Sequence, residues 1–455
     1  MILCQVDYLF EPSDSQDCMD NDRAPGVATK SHSMVGYLAG MIKEGRMLRF
    51  KNLDHLINTA FGNQNIKFYL ELGLSVNNYL DDGPNLKLLA DAIKDVHNIE
   101  LVFSHGWDLY SSRVYGWVEP HTTLQCVFDR IAVHKEAFEL ISNTRLHFWL
   151  GNTEEVEKYQ GHFPNADVRY YSIYPMRMIA KQYENDLPFY SAPTSSAKRT
   201  KHFMCLNNYE KSHRTETVRY IIDAEIDNKF NLSYLKPNEP ELKRTLDGEF
   251  EMDNIEQWQD CISHDLVNDS YLYIATETHA DDKWKFGRVD GKNYNYDNCI
   301  FHKNDLEKWT SLEIPIRGWI SEKTLKSAYY ELPMMIVGIP GQLASFKSLG
   351  FETFPEFFDE SYDTISYQGE RFNVIKENMM RICAMNIEDV HRVYYSDTVQ
   401  QKLKHNKQHL INMVKNDPYM MFYNYNEQNI QSYIKENPST TLLEFYNNVF
   451  QHVRL

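Results

Sequence analysis

No CxxC pair and no regular cysteine spacing occur in this chain. Its seven cysteines, Cys4, Cys18, Cys126, Cys205, Cys261, Cys299 and Cys383, are scattered and odd in number. That pattern argues against a disulfide framework or a structural zinc site, and for a reducing cytoplasmic home. The opening MILCQVDYLFEPSDSQD lacks a basic segment and turns acidic at once, so no signal peptide is expected. No apolar run approaches the ~18–20 residues of a membrane span. The first half holds no GxGxxG, and no internal repeat stands out. Positive charge is also short. The 47 basic residues face 64 acidic ones, for a net charge of −17, which weighs against a surface that tracks nucleic acid.

What is present suits two sizeable cores. The 455 residues are enough for two domains, and 42% of them are apolar. Aromatics reach 13%, with 30 Tyr, which serves sugar stacking and ordinary cores equally. Strand-like segments at 1–10, 66–72, 99–103, 146–150 and 168–173 alternate with helical patterns at 34–43, 85–96 and 130–141. Alternation of this kind predicts a parallel sheet covered on both faces. The stretch Ser191 to Thr200 is small, polar and proline-bearing, and reads as a linker. A second unit follows, with strands at 202–206, 230–235, 271–276 and 334–337. The expected domains are therefore residues 1–190 and 201–395, joined by 191–200 and followed by helices over 396–455.

The most informative stretch runs from Trp319 to Asp363. Ser321 is a good N-cap, with Glu322, Lys323 and Thr324 in the first turn of a helix that Pro333 ends. Met334 to Val337 is a short apolar run suited to a buried strand, closed by Gly338, Pro340 and Gly341. A helix start of this kind attracts anions, and Lys323 adds a full charge within reach of a diphosphate. Glu322 suits two ribose hydroxyls instead. Ser-Glu-Lys-Thr is equally an ordinary capped helix start.

Other candidates lie at strand ends. Ser104-His105-Gly106-Trp107-Asp108 follows a strand, where parallel sheets place their sites, so His105 or Asp108 could act as a base and Trp107 could stack on a sugar. Glu71, Glu119 and His121 are weaker candidates. Glu277 closes the strand ending at Thr276. Asp20-Asn21-Asp22 spells a DxD, but in a polar loop beside Pro25 and Gly26, and it reads as surface. Lys402, Lys404, His405, Lys407 and His409 read as a solvated basic helix face, with phosphate contact as the alternative.

ISEKTLKSAYYELPMMIVG resembles the nucleotide-binding segment of fucosyltransferase-like and exostosin-like glycosyltransferases. The continuation through Leu349-Gly350-Phe351 and Asp359 to Asp363 is similar to phage- or virus-borne members of that group. FMCLNNYEKSHRTETVRYI resembles the first strand, loop and helix of the same C-terminal domain. The resemblance covers about the second half of the chain. It implies an α/β GT-B-like fold, with two doubly wound Rossmann-type domains facing a cleft and C-terminal helices behind. It implies a nucleoside-diphosphate sugar donor held by Asn207, Arg214, Ser321, Glu322, Lys323 and Thr324. Arg214 would offer a planar fork to the diphosphate, and Glu277 would face donor-sugar or ribose hydroxyls. Transfer to a glycan or other hydroxyl acceptor would be metal-independent and inverting, with a base from the first half. Two alternatives stay open: a phage-type glycosyltransferase acting on a hydroxymethylated DNA base, against which the net charge weighs, and an inactive scaffold that only binds.

Overall fold

The computed structural model describes residues 2–8, 47–73, 83–105, 113–114, 117–118, 124–151, 153–172, 190–193, 198–246, 262–277, 288–289, 292–293, 320–366 and 368–415. These build a mixed α/β protein with two parallel sheets. Asp20 to Asp22, the expected helix at 34–43, Trp107, Asp108, Glu119, His121 and the expected last helix lie outside them.

The first sheet has six strands: β1 (Ile2–Tyr8), β2 (Met47–Asn52), β3 (Phe68–Gly73), β4 (Ile99–His105), β5 (Leu146–Leu150) and β6 (Asp167–Tyr170). Their order is β2-β1-β3-β4-β5-β6, with every pairing parallel. Helices α1 (Leu53–Gly62), α2 (Gly83–Ile93), α3 (Leu124–Ala137) and α4 (Thr153–His162) connect them. From β2 onward the chain advances in one direction along the sheet, and right-handed crossovers then put all four helices on the same face. Phe68, Leu70, Leu101, Phe103 and Phe148 bury their side chains under them. Tyr69, Val102 and Trp149 alternate with those residues and face the other way, in one buried cluster with the core of the second sheet.

The second sheet comprises β7 (Lys201–Tyr209), β8 (Phe230–Lys236), β9 (Ser270–Thr276) and β10 (Met334–Val337), in the order β8-β7-β9-β10 and again all parallel. Every side chain of β9 and of the edge strand β10 is buried, as expected for strands covered on both faces. Helices α5 (Ser212–Asp223), α6 (His264–Asp269), α7 (Glu322–Tyr329), α8 (Gln342–Ser348), α9 (Gln368–Cys383), α10 (Ile387–Tyr394) and α11 (Asp397–Lys415) complete this part.

Three sequence expectations change. The strand expected to end at Leu206 runs on to Tyr209, paired with β8 as far as Lys236. The end of the expected linker is pinned rather than free. Arg199 is buried and donates to Val267 O at 3.1 Å, to Ser270 O and to the Tyr394 hydroxyl. Most of the basic side chains of α11 are hydrogen-bonded to the rest of the protein, while Lys404 and His405 remain exposed. Lys402 Nζ donates to Thr353 O at 3.0 Å and pairs with Glu356, while His405 and His409 meet the carbonyls of Gly350 and Leu349. Lys407 Nζ bridges Tyr190 O and Glu331 Oε1.

Candidate functional site

In an open parallel sheet, neighbouring strands whose connections leave in opposite directions open a crevice outside their carboxyl ends. In the second sheet those strands are β7 and β9. From β7 the chain runs through α5 to β8 on one side; from β9 it runs to α7 and β10 on the other. The residues expected at the donor site gather at this switch point. Asn207 lies near the end of β7, Arg214 in the first turn of α5, Glu277 follows β9, and Ser321 to Thr324 open α7.

One hydrogen bond joins the strand ends, and a second turns back within β7. Thr276 Oγ1 donates to Asn207 Oδ1 at 2.5 Å, and Asn207 Nδ2 points back to Cys205 Sγ at 3.4 Å. The Asn207 side chain is thus consumed within the sheet. Glu277 is 0% exposed and its carboxylate is equally committed. The Ser321 hydroxyl donates to Oε2 at 2.5 Å, and the Thr324 hydroxyl donates to Oε1. Glu277 therefore ties the end of β9 to the first turn of α7, and no part of its carboxylate reaches solvent.

The backbone carbonyl of Glu277 is gripped from the other side. His213 Nε2 donates to it at 2.7 Å, and Arg214 Nη2 reaches it at 3.3 Å and Thr276 O at 3.4 Å. Burial, reinforced by the adjacent Arg214 charge, pulls His213 down to about 3, so its ring is neutral and donates through Nε2–H. Burial also lowers Arg214, while Glu322 and Glu277 push the other way. Arg214 is 5% exposed. It is a buried charge behind the strand ends.

Lys323 and Glu322 form the part of the site that reaches the surface. Lys323 Nζ pairs with Glu322 Oε1 at 2.5 Å, and Lys323 N donates to Ser321 Oγ at 3.1 Å. Burial pushes the Glu322 carboxyl up, but the charges of Lys323 and Lys326 outweigh it and hold it at about 2. The neighbouring helix start is closed by contrast. The Asp363 carboxylate accepts from Leu343 N and Ala344 N at 2.9 Å each, occupying the place of an anion at α8.

Sequence reading passed over His213, Asn208 and the role of Gly338. A Cβ on Gly338 would lie 1.7 Å from Gln342 Oε1 and 3.3 Å from Glu277 Cβ, so a larger residue would displace the Gln342 amide and press on Glu277. From the first half, Tyr170 closes β6. Burial raises its hydroxyl well above the usual range, a Ser172 hydrogen bond offsets part of this, and the Glu277 charge adds to it. His105 is the last residue of β4, paired with Leu150 of β5, away from the β1–β3 switch point of its own sheet. Among the described residues, no group of three or more His, Cys, Asp or Glu side chains is placed to hold a metal ion. Nor is any helix among them long and apolar enough to cross a membrane. No protein-family model, curated protein or solved structure matches this chain, and the reading of the site rests on its own chemistry.

Proposed function

We propose that the chain is a GT-B-type glycosyltransferase that binds a nucleoside-diphosphate sugar at the β7–β9 switch point. One observation carries this reading. A cation and a carboxylate, Lys323 and Glu322, sit side by side at a capped helix start, over strand ends where a buried Arg214 adds positive charge. Without ligand the two neutralise each other. A diphosphate takes over Lys323, whose flexible stem lets it swing from one anion to another, and frees Glu322 to accept two ribose hydroxyls. Both groups are largely buried, so the ligand must supply a new partner to each charge, the diphosphate to Lys323 and the ribose hydroxyls to Glu322.

Catalysis then rests on charge. The acceptor oxygen attacks the anomeric carbon, the bond to the diphosphate oxygen breaks, and the departing diphosphate carries the electron pair. Lys323, the α7 dipole and the Arg214 field stabilise that charge, and this route calls on no metal ion. A single displacement of this kind inverts the anomeric centre. A base from the first half accepts the acceptor proton, with His105 and Asp108 the candidates. Two further residues support the donor site without touching substrate: Glu277 and Thr276 fix the strand ends on which it stands.

The test is turnover of sugar nucleotide. Wild-type protein incubated with UDP, GDP and dTDP sugars should slowly release free nucleoside diphosphate from one of them without acceptor, and Lys323→Ala should abolish the release. A wild type that leaves every sugar nucleotide intact while still binding one is a binding scaffold, and the transferase reading falls.

A further inference from the structure

Asn208 is the residue of the crevice that none of these roles uses. It is 8% exposed, and neither its Nδ2 nor its Oδ1 has a hydrogen-bond partner. A buried carboxamide left empty on both sides costs stability, and native proteins keep few of them without a reason.

Register fixes where it stands. Leu272 of β9 pairs with Phe203 and Tyr273 with Met204. Along β7, Met204, Leu206 and Asn208 share one face, while Phe203, Cys205 and Asn207 share the other. The Thr276–Asn207 bond carries the second set to the carboxyl ends of both strands. Asn208 therefore belongs to the face of Tyr273, Ala275 and Glu277. This is the α7 face, since the Glu277 carboxylate meets Ser321 and Thr324 there. Asn207 and Asn208 are adjacent in sequence but divide the work: one closes the sheet, and the other carries a buried, unpartnered amide on the α7 face.

The chemistry of the vacancy narrows the ligand group. A carboxamide has two N–H donors and one carbonyl acceptor. A phosphate only accepts, so it would satisfy Nδ2 and leave Oδ1 empty. A carbohydrate hydroxyl both accepts and donates, and a neighbouring pair of hydroxyls answers both ends of the amide. With ribose assigned to Glu322, the hydroxyls left for Asn208 are those of the transferred sugar. We propose that the Asn208 carboxamide is a specificity-determining group that reads sugar hydroxyls of the donor; this rests on the donor-site reading above.

The experiment compares full-length wild type with Asn208→Leu, which keeps the branched shape and removes the amide. Each is titrated calorimetrically with UDP, GDP and dTDP sugars and with free UDP, GDP and dTDP. For the sugar nucleotide that wild type binds, Asn208→Leu should weaken affinity about tenfold, as expected for one or two lost hydrogen bonds. Affinity for the matching free diphosphate should change less than about twofold, because that ligand carries no transferred sugar. Without ligand, the variant's melting midpoint should rise by about 2 °C, since a buried amide with no partner has been removed. Equal losses for both ligands would move the contact to the ribose or phosphates and overturn the assignment. Unchanged affinity, or a lower midpoint in the absence of ligand, would overturn it too. Asn208→Ala makes the same binding comparison should the leucine fail to pack. A wild type that binds no member of the panel refutes the donor reading itself, a failure visible before any variant is made.

Discussion

The Ser321 hydroxyl and the Glu277 carboxylate meet at 2.5 Å, both side chains fully buried, and so join the N-cap of α7 to the end of β9. The helix start that attracts an anion is thus held by a residue from a different strand. Removing the carboxylate leaves the Ser321 and Thr324 hydroxyls without their acceptor. Glu277→Ala should therefore lose about 3 kcal/mol, the range for losing charge-assisted bonds in a buried site. Glu277→Gln, which keeps one acceptor, should lose less. Urea unfolding measures both, and an alanine variant as stable as wild type would contradict the anchoring role.

Among the described residues, the two non-glycine residues with positive φ should respond in opposite ways to replacement by glycine. Glu225 (φ 54) follows α5 with its side chain exposed. Glu225→Gly relieves left-handed strain and should stabilise by about 0.5–1 kcal/mol. Glu331 (φ 52) instead uses its side chain. Its Oε1 pairs with Lys407 at 2.6 Å, and its carbonyl accepts from the Tyr394 hydroxyl at 2.8 Å. Glu331→Gly strands the half-buried Lys407 charge and should destabilise by about 1–2 kcal/mol despite the relief. Thermal melts of the two variants check the contrast, and a gain at Glu331 would show that the Lys407 clamp contributes nothing.

A third prediction concerns pH. On the face of the first sheet away from α1 to α4, His147 Nε2 meets Glu100 at 2.7 Å and Nδ1 meets Asp167 at 3.0 Å. Lys67 pairs with Glu100 and Arg169 with Asp167. Burial opposes charge on both carboxyls, but their bonds to His147, and to Lys67 or to Trp149 and Arg169, hold each at about 2. Burial likewise opposes charge on His147, and bonds to Asp167 and Glu100 outweigh it and raise the imidazole. The carboxylate contribution is present above about pH 4.3 and fades as pH falls toward 2. The His147 contribution is full below about pH 6.5 and fades as pH rises through its raised value. The stability difference between wild type and His147→Phe should therefore peak between about pH 4.5 and 6.5. A difference that does not change from pH 5 to pH 9 would mean that His147 is neutral in the fold.

Much of this architecture is written in local sequence. Met334 to Val337 is a continuous apolar run and Leu146 to Leu150 a largely apolar one interrupted by His147, and both are strands with the expected bounds. Ser321 caps its helix through Lys323 N as its side-chain chemistry requires. What sequence could not show depends on partners far along the chain. MLRFKN at β2 has a mixed pattern, and only pairing with β1 makes it a strand. The His147 cluster needs three strands in register. Lys402, His405 and His409 look like a solvated basic face because their acceptors are carbonyls of Thr353, Gly350 and Leu349, and a carbonyl leaves no trace in residue type. Asn207 and Asn208 look alike in sequence, and only strand pairing assigns them to opposite faces.

The most direct measurement is a thermal-shift screen of wild type and Lys323→Ala against UDP, GDP, CMP and dTDP sugars. A ligand present at about 100 times its Kd stabilises the fold by about 2.7 kcal/mol, an easily visible shift. Losing Lys323 strips the largely buried Glu322 carboxylate of its nearest cation, so each protein's shift is read against its own unliganded midpoint. One nucleotide sugar should raise the wild-type midpoint and leave that of Lys323→Ala unmoved. A panel that shifts neither protein, or shifts both alike, would contradict a donor site at the start of α7.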